Sequence, residues 1–111
     1  MPLAAEHAQR ISKDTPPLTS GEIAGLVREI PGWTVEEKSI ERTFDFPDFA
    51  RAMEFGLKVG ELAEREDHHP ELCVSWGQTR VVFSTHKIDG LSRNDFILAA
   101  KVDQLATGNE A

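Results

Sequence analysis

Residues 71–86 read Glu71-Leu72-Cys73-Val74-Ser75-Trp76-Gly77-Gln78-Thr79-Arg80-Val81-Val82-Phe83-Ser84-Thr85-His86. Leu72, Val74 and Trp76 fall at every second position before Gly77-Gln78, and Val81, Phe83 and Thr85 do so after it. Because successive side chains of a strand point to opposite faces, this is the pattern of a hairpin, with Gly77-Gln78 as its two-residue turn. In that register Trp76 faces Thr79, and continuing the pairing outward sets His69 opposite His86. Leu72, Val74, Trp76, Val81 and Phe83 then share the apolar face. His86 belongs to the other face, with Arg80, Val82 and Ser84, and a pocket is expected there.

Working outward from this hairpin, the segment before it carries an apolar stripe at helical spacing, Phe49, Met53, Gly56, Leu57 and Gly60, with Glu64 extending it. Pro47 suits the first position of that helix, where its missing N–H costs nothing. The helix is expected to reach about Arg65 and must yield before Pro70. Further upstream, Trp33, Val35 and Glu37 share one face of a strand and Ile40, Phe44 and Phe46 one face of the next, turning around Lys38-Ser39. Thr19 and Glu22 form a capping box ahead of Ile23, Leu26, Val27 and Ile30, a short helix stopped by Pro31-Gly32. Downstream, Gly90 closes a connection and Ser92 with Asp95 starts a last helix whose apolar face holds Phe96, Ile97, Ala100 and Leu105.

The order α-β-β-α-β-β-α predicts an α+β, two-layer fold, a four-stranded antiparallel sheet with helices on one face. Residues 1–17 end in Pro16-Pro17, show no periodicity and read as a flexible arm or a loosely docked extension. A single domain over residues 18–107 follows, and the tail after Thr107 is expected to fray. A chain of 111 residues suits one domain and can bury a core without staples.

The 12 basic and 19 acidic residues give a formal charge of -7, which would repel a phosphate backbone, so nucleic acid is not an expected partner. Met1 to Thr15 has no apolar run of signal-peptide length, and no later run is long enough to span a bilayer, so no membrane partner is expected. The lone Cys73 cannot form an internal disulfide and fits a reducing cytoplasm.

Chemistry concentrates in Glu64-Arg65-Glu66-Asp67-His68-His69-Pro70 and in Ser84-Thr85-His86, which hold three of the four histidines. Histidine serves proton transfer near neutrality because its unperturbed pKa is about 6.5. If the helix persists one more turn, Glu64 and His68 lie four apart on one side, where the carboxylate could orient the imidazole. Zinc is the rival reading, with His68, His69, His86 and Cys73 as ligands. Adjacent histidines on extended backbone face opposite ways, however, and Cys73 forms no ligand-pair motif, so no metal site is expected. Cys73 reads as a small buried or half-buried apolar residue. Trp33 and Trp76 read as core or interface aromatics, with the core favoured for Trp76; Asp95 reads as a helix cap in preference to a catalytic group, and His7 takes no role.

Glu64-x-x-x-His68-His69-Pro70, followed by Trp76, His86 and Asp95, resembles the signature of the pterin-4a-carbinolamine dehydratases. The resemblance runs from about Gly32 to Ala106. It includes Pro31-Gly32-Trp33-Thr34-Val35, Asp48-Phe49-x-Arg51-Ala52 and Gly90-Leu91-Ser92. It implies dehydration of a 4a-hydroxytetrahydropterin to the quinonoid dihydropterin, in the service of aromatic amino acid hydroxylases, with no metal or organic cofactor. By the same resemblance His68 and His86 look like the acid-base pair and His69 like the group that binds and polarises the hydroxyl-bearing region. Glu64 orients an imidazole, and Asp67, Ser84 and Thr85 frame the pterin. Assembly as a homodimer or homotetramer is also implied. Ile88 stands where some relatives carry cysteine. A non-catalytic interaction or assembly protein on the same fold is the competing expectation, and pterin binding without turnover a third.

Overall fold

The computed structural model describes residues 2–107; the tail expected to fray lies outside them. Helix α1 spans Ser20–Val27, strands β1 and β2 Thr34–Val35 and Ile40–Asp45, and helix α2 Phe49–Glu66. Strands β3 and β4 span Glu71–Ser75 and Gln78–Phe83, and helix α3 Arg93–Ala106. The strands form one antiparallel sheet in the order β1-β2-β4-β3. α2 and α3 pack on one face, so the predicted order and layering are those observed.

The inner sheet face carries the alternation read from the sequence: Thr79, Val81 and Phe83 are buried, and Leu72 and Val74 are half-buried. Its register differs. Ser75 pairs with Gln78 and Leu72 with Val81, so the turn is Trp76-Gly77, one residue earlier than expected. Gly77 takes φ 77°, a conformation that glycine adopts at no steric cost, which fixes it as the second central residue of the turn. Trp76 is therefore a turn residue, 72% exposed, not a core aromatic. Cys73 likewise faces outward and is exposed, opposite Arg80. Strand β4 stops at Phe83, so His86 is not a strand residue opposite His69 but opens a 3-10 turn, His86–Ile88.

Of the stripe expected on helix α2, Gly56 is buried but the large side chains are not. Ala52, Phe55, Gly56, Val59, Leu62 and Ala63 are buried, while Phe49, Met53 and Leu57 are 47%, 39% and 64% exposed. A Cβ on Gly56 would stand 3.0 Å from the Val74 side chain, so this glycine lets α2 lie close on β3. Asp48, not Pro47, starts the helix: its carboxylate accepts from the Arg51 N–H at 2.8 Å. In the first hairpin Val35 pairs with Ile40, which centres the turn one residue earlier than Lys38-Ser39. The Thr19–Glu22 capping box is formed on α1.

The segment before α1 is not a free arm. Phe96 to Ala100 are all buried, so this stretch of α3 is apolar around its circumference and needs cover on the side away from the sheet. Leu3, 1% exposed, supplies part of that cover, at about 1.5–3 kcal/mol for a fully buried leucine. Polar contacts hold the segment down: Glu6 takes two bonds from the Arg93 guanidinium at 2.8 and 2.7 Å, and Lys101 donates to the Ala4 carbonyl at 2.9 Å. His7, given no role from sequence, meets Glu66 at 2.9 Å.

Candidate active site

Helix α2 ends because Asp67 adopts a left-handed conformation, φ 53° and ψ 42°. Both Asp67 and His68 donate their backbone N–H to the Ala63 carbonyl. The reversal breaks the i,i+4 relation between Glu64 and His68 and turns the His68 imidazole inward. There its ring stacks on Phe83, with centroids 6.0 Å apart and planes 14° apart, and its side chain is only 12% exposed. Glu64 meets His69 instead, and both of these side chains are exposed.

The partner that His68 does find is Asp95. His68 Nε2 lies 2.6 Å from Asp95 Oδ1, and the carboxylate is fully buried. Its other oxygen accepts from the Ser92 N–H at 2.9 Å and from the Thr85 hydroxyl at 2.8 Å. Asp95 thus caps α3 and fixes an imidazole at once, where the sequence suggested capping alone. The hint was its place with His68 and His86 in the spaced signature. Thr85 faces the same network: its N–H donates to the Gly90 carbonyl at 3.0 Å, and its hydroxyl is engaged by Asp95 and by Ser92 at 2.8 Å.

His86 is exposed, with the Ser84 hydroxyl 3.5 Å from its Nε2. His68, His69 and His86 nonetheless line one cleft of about 650 Å³, together with Asp67, Ser84 and Thr85. Its opposite wall comes from the N-terminal segment, residues 8–11, which sequence reasoning left out. A second cleft of about 750 Å³, over the outer sheet face where the pocket was expected, shares His69 and His86 but lacks His68. Both volumes suit a small bicyclic ligand, and only the first joins all three imidazoles.

Two charged groups at the edges of the clefts are held by partners. Burial acts to raise the Glu66 carboxyl, but the Ala8 N–H at 2.8 Å and His7 outweigh it and hold the group below its ordinary value. The Asp89 carboxylate, 2.9 Å from Lys38, raises that ammonium above its ordinary value at the edge of the second cleft. Among the described residues no three or more His, Cys, Asp or Glu side chains are arranged to hold a metal ion. Nor is any helix among them long and apolar enough to cross a membrane.

Such a site can hold one imidazole in a fixed tautomer through a buried carboxylate and offer two more that exchange protons with solvent. Comparison with known proteins adds to this. The family model described as pterin 4 alpha carbinolamine dehydratase matches residues 16–105. A protein of Rubrobacter xylanophilus named "Putative pterin-4-alpha-carbinolamine dehydratase" is 48% identical over 104 residues, covering 93% of this chain and 97% of its own. One of the same name from Methylococcus capsulatus is 46% identical over 106 residues, covering 94% and 93%. The crystal structure of a transcriptional coactivator/pterin dehydratase from Brucella melitensis superposes with a TM-score of 0.76 at 32% identity, over 81% of this chain and 98% of that one.

Proposed function

The chain belongs to the pterin 4 alpha carbinolamine dehydratase family, and from that premise we propose that it is a hydro-lyase acting on a 4a-hydroxytetrahydropterin by histidine acid-base catalysis. The observation that carries this reading is the single cleft lined by His68, His69 and His86, with His68 clamped by the buried Asp95. In the reaction the proton on ring nitrogen 5 is taken by a base, a proton from an acid is delivered to the hydroxyl as its bond to carbon 4a breaks, and water departs. A double bond between carbon 4a and nitrogen 5 completes the quinonoid dihydropterin.

His68 and His86 share the acid and base roles. With Nε2 of His68 bonded to Asp95, its other ring nitrogen is the one free to meet substrate. His86, exposed, can renew its proton from water after each turnover. His69, oriented by Glu64, binds and polarises the hydroxyl-bearing region, and Asp67 and Ser84 frame the ring. Asp95 is a positioning residue, and Thr85 supports it from beneath. The product is one that a reductase can return to the tetrahydro form, so the enzyme serves pterin-dependent aromatic amino acid hydroxylases. An exposed free thiol at Cys73 fits work in a reducing cytoplasm.

The deciding measurement is the dehydration rate of freshly generated 4a-hydroxytetrahydropterin, followed by ultraviolet absorbance, for wild type, His68→Ala and His86→Ala. Acceleration that falls by roughly 10²-fold or more in both variants supports the reading. A folded wild type that gives no acceleration sinks it.

A second reading has its own observation. Phe49, Met53 and Leu57 form an exposed apolar stripe on α2, and the exposed Trp76 sits at the same end of the sheet, since the Phe46 N–H bonds the Gly77 carbonyl at 2.8 Å. Stripes of this kind are usually covered. Self-assembly into a homodimer or homotetramer is the occupant favoured here, and the coactivator in the Brucella protein's description makes a foreign protein the alternative. Sedimentation of wild type beside Leu57→Glu separates them: a wild-type monomer removes the homo-oligomer.

A further inference from the structure

Two consecutive residues of the N-terminal segment are bonded to the two places that carry the His68–Asp95 pair. Ala8 donates its N–H to Glu66 Oε1 at 2.8 Å, two residues before His68. Gln9 donates its N–H to Asn94 Oδ1 at 2.8 Å, and Asn94, next to Asp95, returns a bond from its amide nitrogen to the Gln9 carbonyl at 2.6 Å. Consecutive Cα atoms across a trans peptide are about 3.8 Å apart, so this link between the end of α2 and the start of α3 is one peptide unit long and cannot stretch. The residues on either side keep it in register. Leu3 is buried, Arg93 holds Glu6, and Lys87 donates to the Ile11 carbonyl at 3.0 Å.

The residue types at both anchors suit a link. Asn94 is the second residue of α3 and only 4% exposed. Asparagine is a poorer helix former than alanine, but its side-chain amide can accept from the N–H and donate to the carbonyl of one residue, as it does with Gln9. Glu66 is the last residue of α2, its side chain is 9% exposed, and its second oxygen meets His7 at 2.9 Å. The bond these anchors flank is sensitive to displacement. His68 Nε2 and Asp95 Oδ1 are 2.6 Å apart, a charge-assisted length that a separation of about half an ångström more weakens. His68 follows the left-handed Asp67 just beyond a helix end, so the pair stays closed only if the end of α2 and the start of α3 keep their spacing.

We propose that Glu66 and Asn94 are positioning residues: through the Ala8–Gln9 peptide they splice the end of α2 to the start of α3 and hold the His68–Asp95 bond at its working length. The consequence for turnover rests on the dehydratase reading, whereas the grip on the imidazole does not. Ala8 and Gln9, which lie outside the family match at residues 16–105, thereby take a part in ordering the site.

The test follows exchange of the His68 Nε2 proton with water by nitrogen-edited NMR, the signal being assigned by its loss in His68→Ala. Wild type is compared with Asn94→Ala and Glu66→Ala, each of which cuts one end of the link. Glu66→Gln keeps an acceptor for the Ala8 N–H, and Asp48→Ala removes the cap at the far end of α2, lowering stability without touching the link. The expected result is a protected proton in wild type that exchanges about 10-fold faster in Asn94→Ala and in Glu66→Ala, the loss of one or two hydrogen bonds. Glu66→Gln and Asp48→Ala should keep the wild-type rate. In the two alanine variants of the link, kcat should fall about 10-fold or more while KM stays within about twofold. The two anchors lie on different helices, so if one variant fails to fold the other decides. An unprotected proton in folded wild type, unchanged exchange in the link variants, or equal acceleration in Asp48→Ala overturns the proposal. If the proton behaves as expected and a folded wild type gives no turnover, the dehydratase reading falls and the link stands.

Discussion

The two sides of the histidine cleft are held in opposite ways. On the inner side His68 is nearly buried, stacked on Phe83 and bonded to a carboxylate that Ser92 and Thr85 also hold. On the outer side His69 and His86 stand in solvent, one against an exposed glutamate and the other at the limit of hydrogen-bond distance from Ser84. On the acid-base mechanism proposed above, the difference would separate two needs of proton transfer. One imidazole must keep a fixed tautomer, which burial and a carboxylate secure, and another must exchange with bulk water, which exposure secures.

The sharpest way to break this contrast is Asp95→Ala, which removes the cap of α3 and leaves His68, the Thr85 hydroxyl and the Ser92 N–H without their acceptor. Urea unfolding should report a loss of about 3–5 kcal/mol, the usual cost of breaking a buried, hydrogen-bonded ionic group. Asp95→Asn keeps the shape, so turnover is expected to fall by roughly 10²-fold with a smaller change in stability.

Next in size is the pair His68→Ala and His86→Ala. Both should lose activity, but His68→Ala should also cost about 1–3 kcal/mol by leaving a buried carboxylate oxygen unpaired, whereas His86→Ala stays within about 0.5 kcal/mol. Equal melting temperatures for the two would contradict the asymmetry.

Acid offers a milder perturbation of the wall facing both halves. Glu66 and Glu6 both titrate below their ordinary value of 4.5, Glu66 despite burial and through Ala8 and His7, Glu6 through Arg93. A carboxyl whose folded pKa is depressed stabilises fully above its unfolded value and loses that contribution as pH falls through the folded one. Docking of residues 2–11 should therefore hold above pH 4.5 and weaken below it, before the sheet opens. Amide exchange of Ala8 and Gln9 followed against that of β4 would show it.

The smallest effect is expected at Glu64→Gln. Its contact with His69 is exposed, and exposed pairs contribute little, so kcat/KM should change roughly fivefold or less. A larger loss would mean that the outer side is ordered when substrate binds.

Alternation along β3 and β4 was enough to assign the faces, yet it could not fix the register. Moving the turn from Gly77-Gln78 to Trp76-Gly77 shifts the pairing by two residues, which returns every side chain to its original face. The apolar pattern is blind to such a slide, and only Trp76 and the alignment of His69 with His86 betray it. On α2 two apolar stripes compete, and the larger side chains of Phe49, Met53 and Leu57 pointed to the wrong one. Close approach of the helix to β3 favours the face with Ala52, Gly56 and Ala63.

The histidine set was legible because its members are rare residues at fixed spacing. The pairings within it were not, since they depend on one left-handed residue, Asp67. Docking of the first residues could have been read from α3: the unbroken run Phe96-Ile97-Leu98-Ala99-Ala100 is too apolar all round for a helix with a free side.

Because one carboxylate both starts α3 and aligns an imidazole, folding and turnover would share a single point of failure on the proposed mechanism. In a genetic selection, second-site suppressors of Asp95 substitutions could restore soluble protein by strengthening packing elsewhere, yet they would leave the imidazole unheld. Abundance and activity would then part company, and a screen that reads only expression would score as rescued an enzyme that still does not turn over.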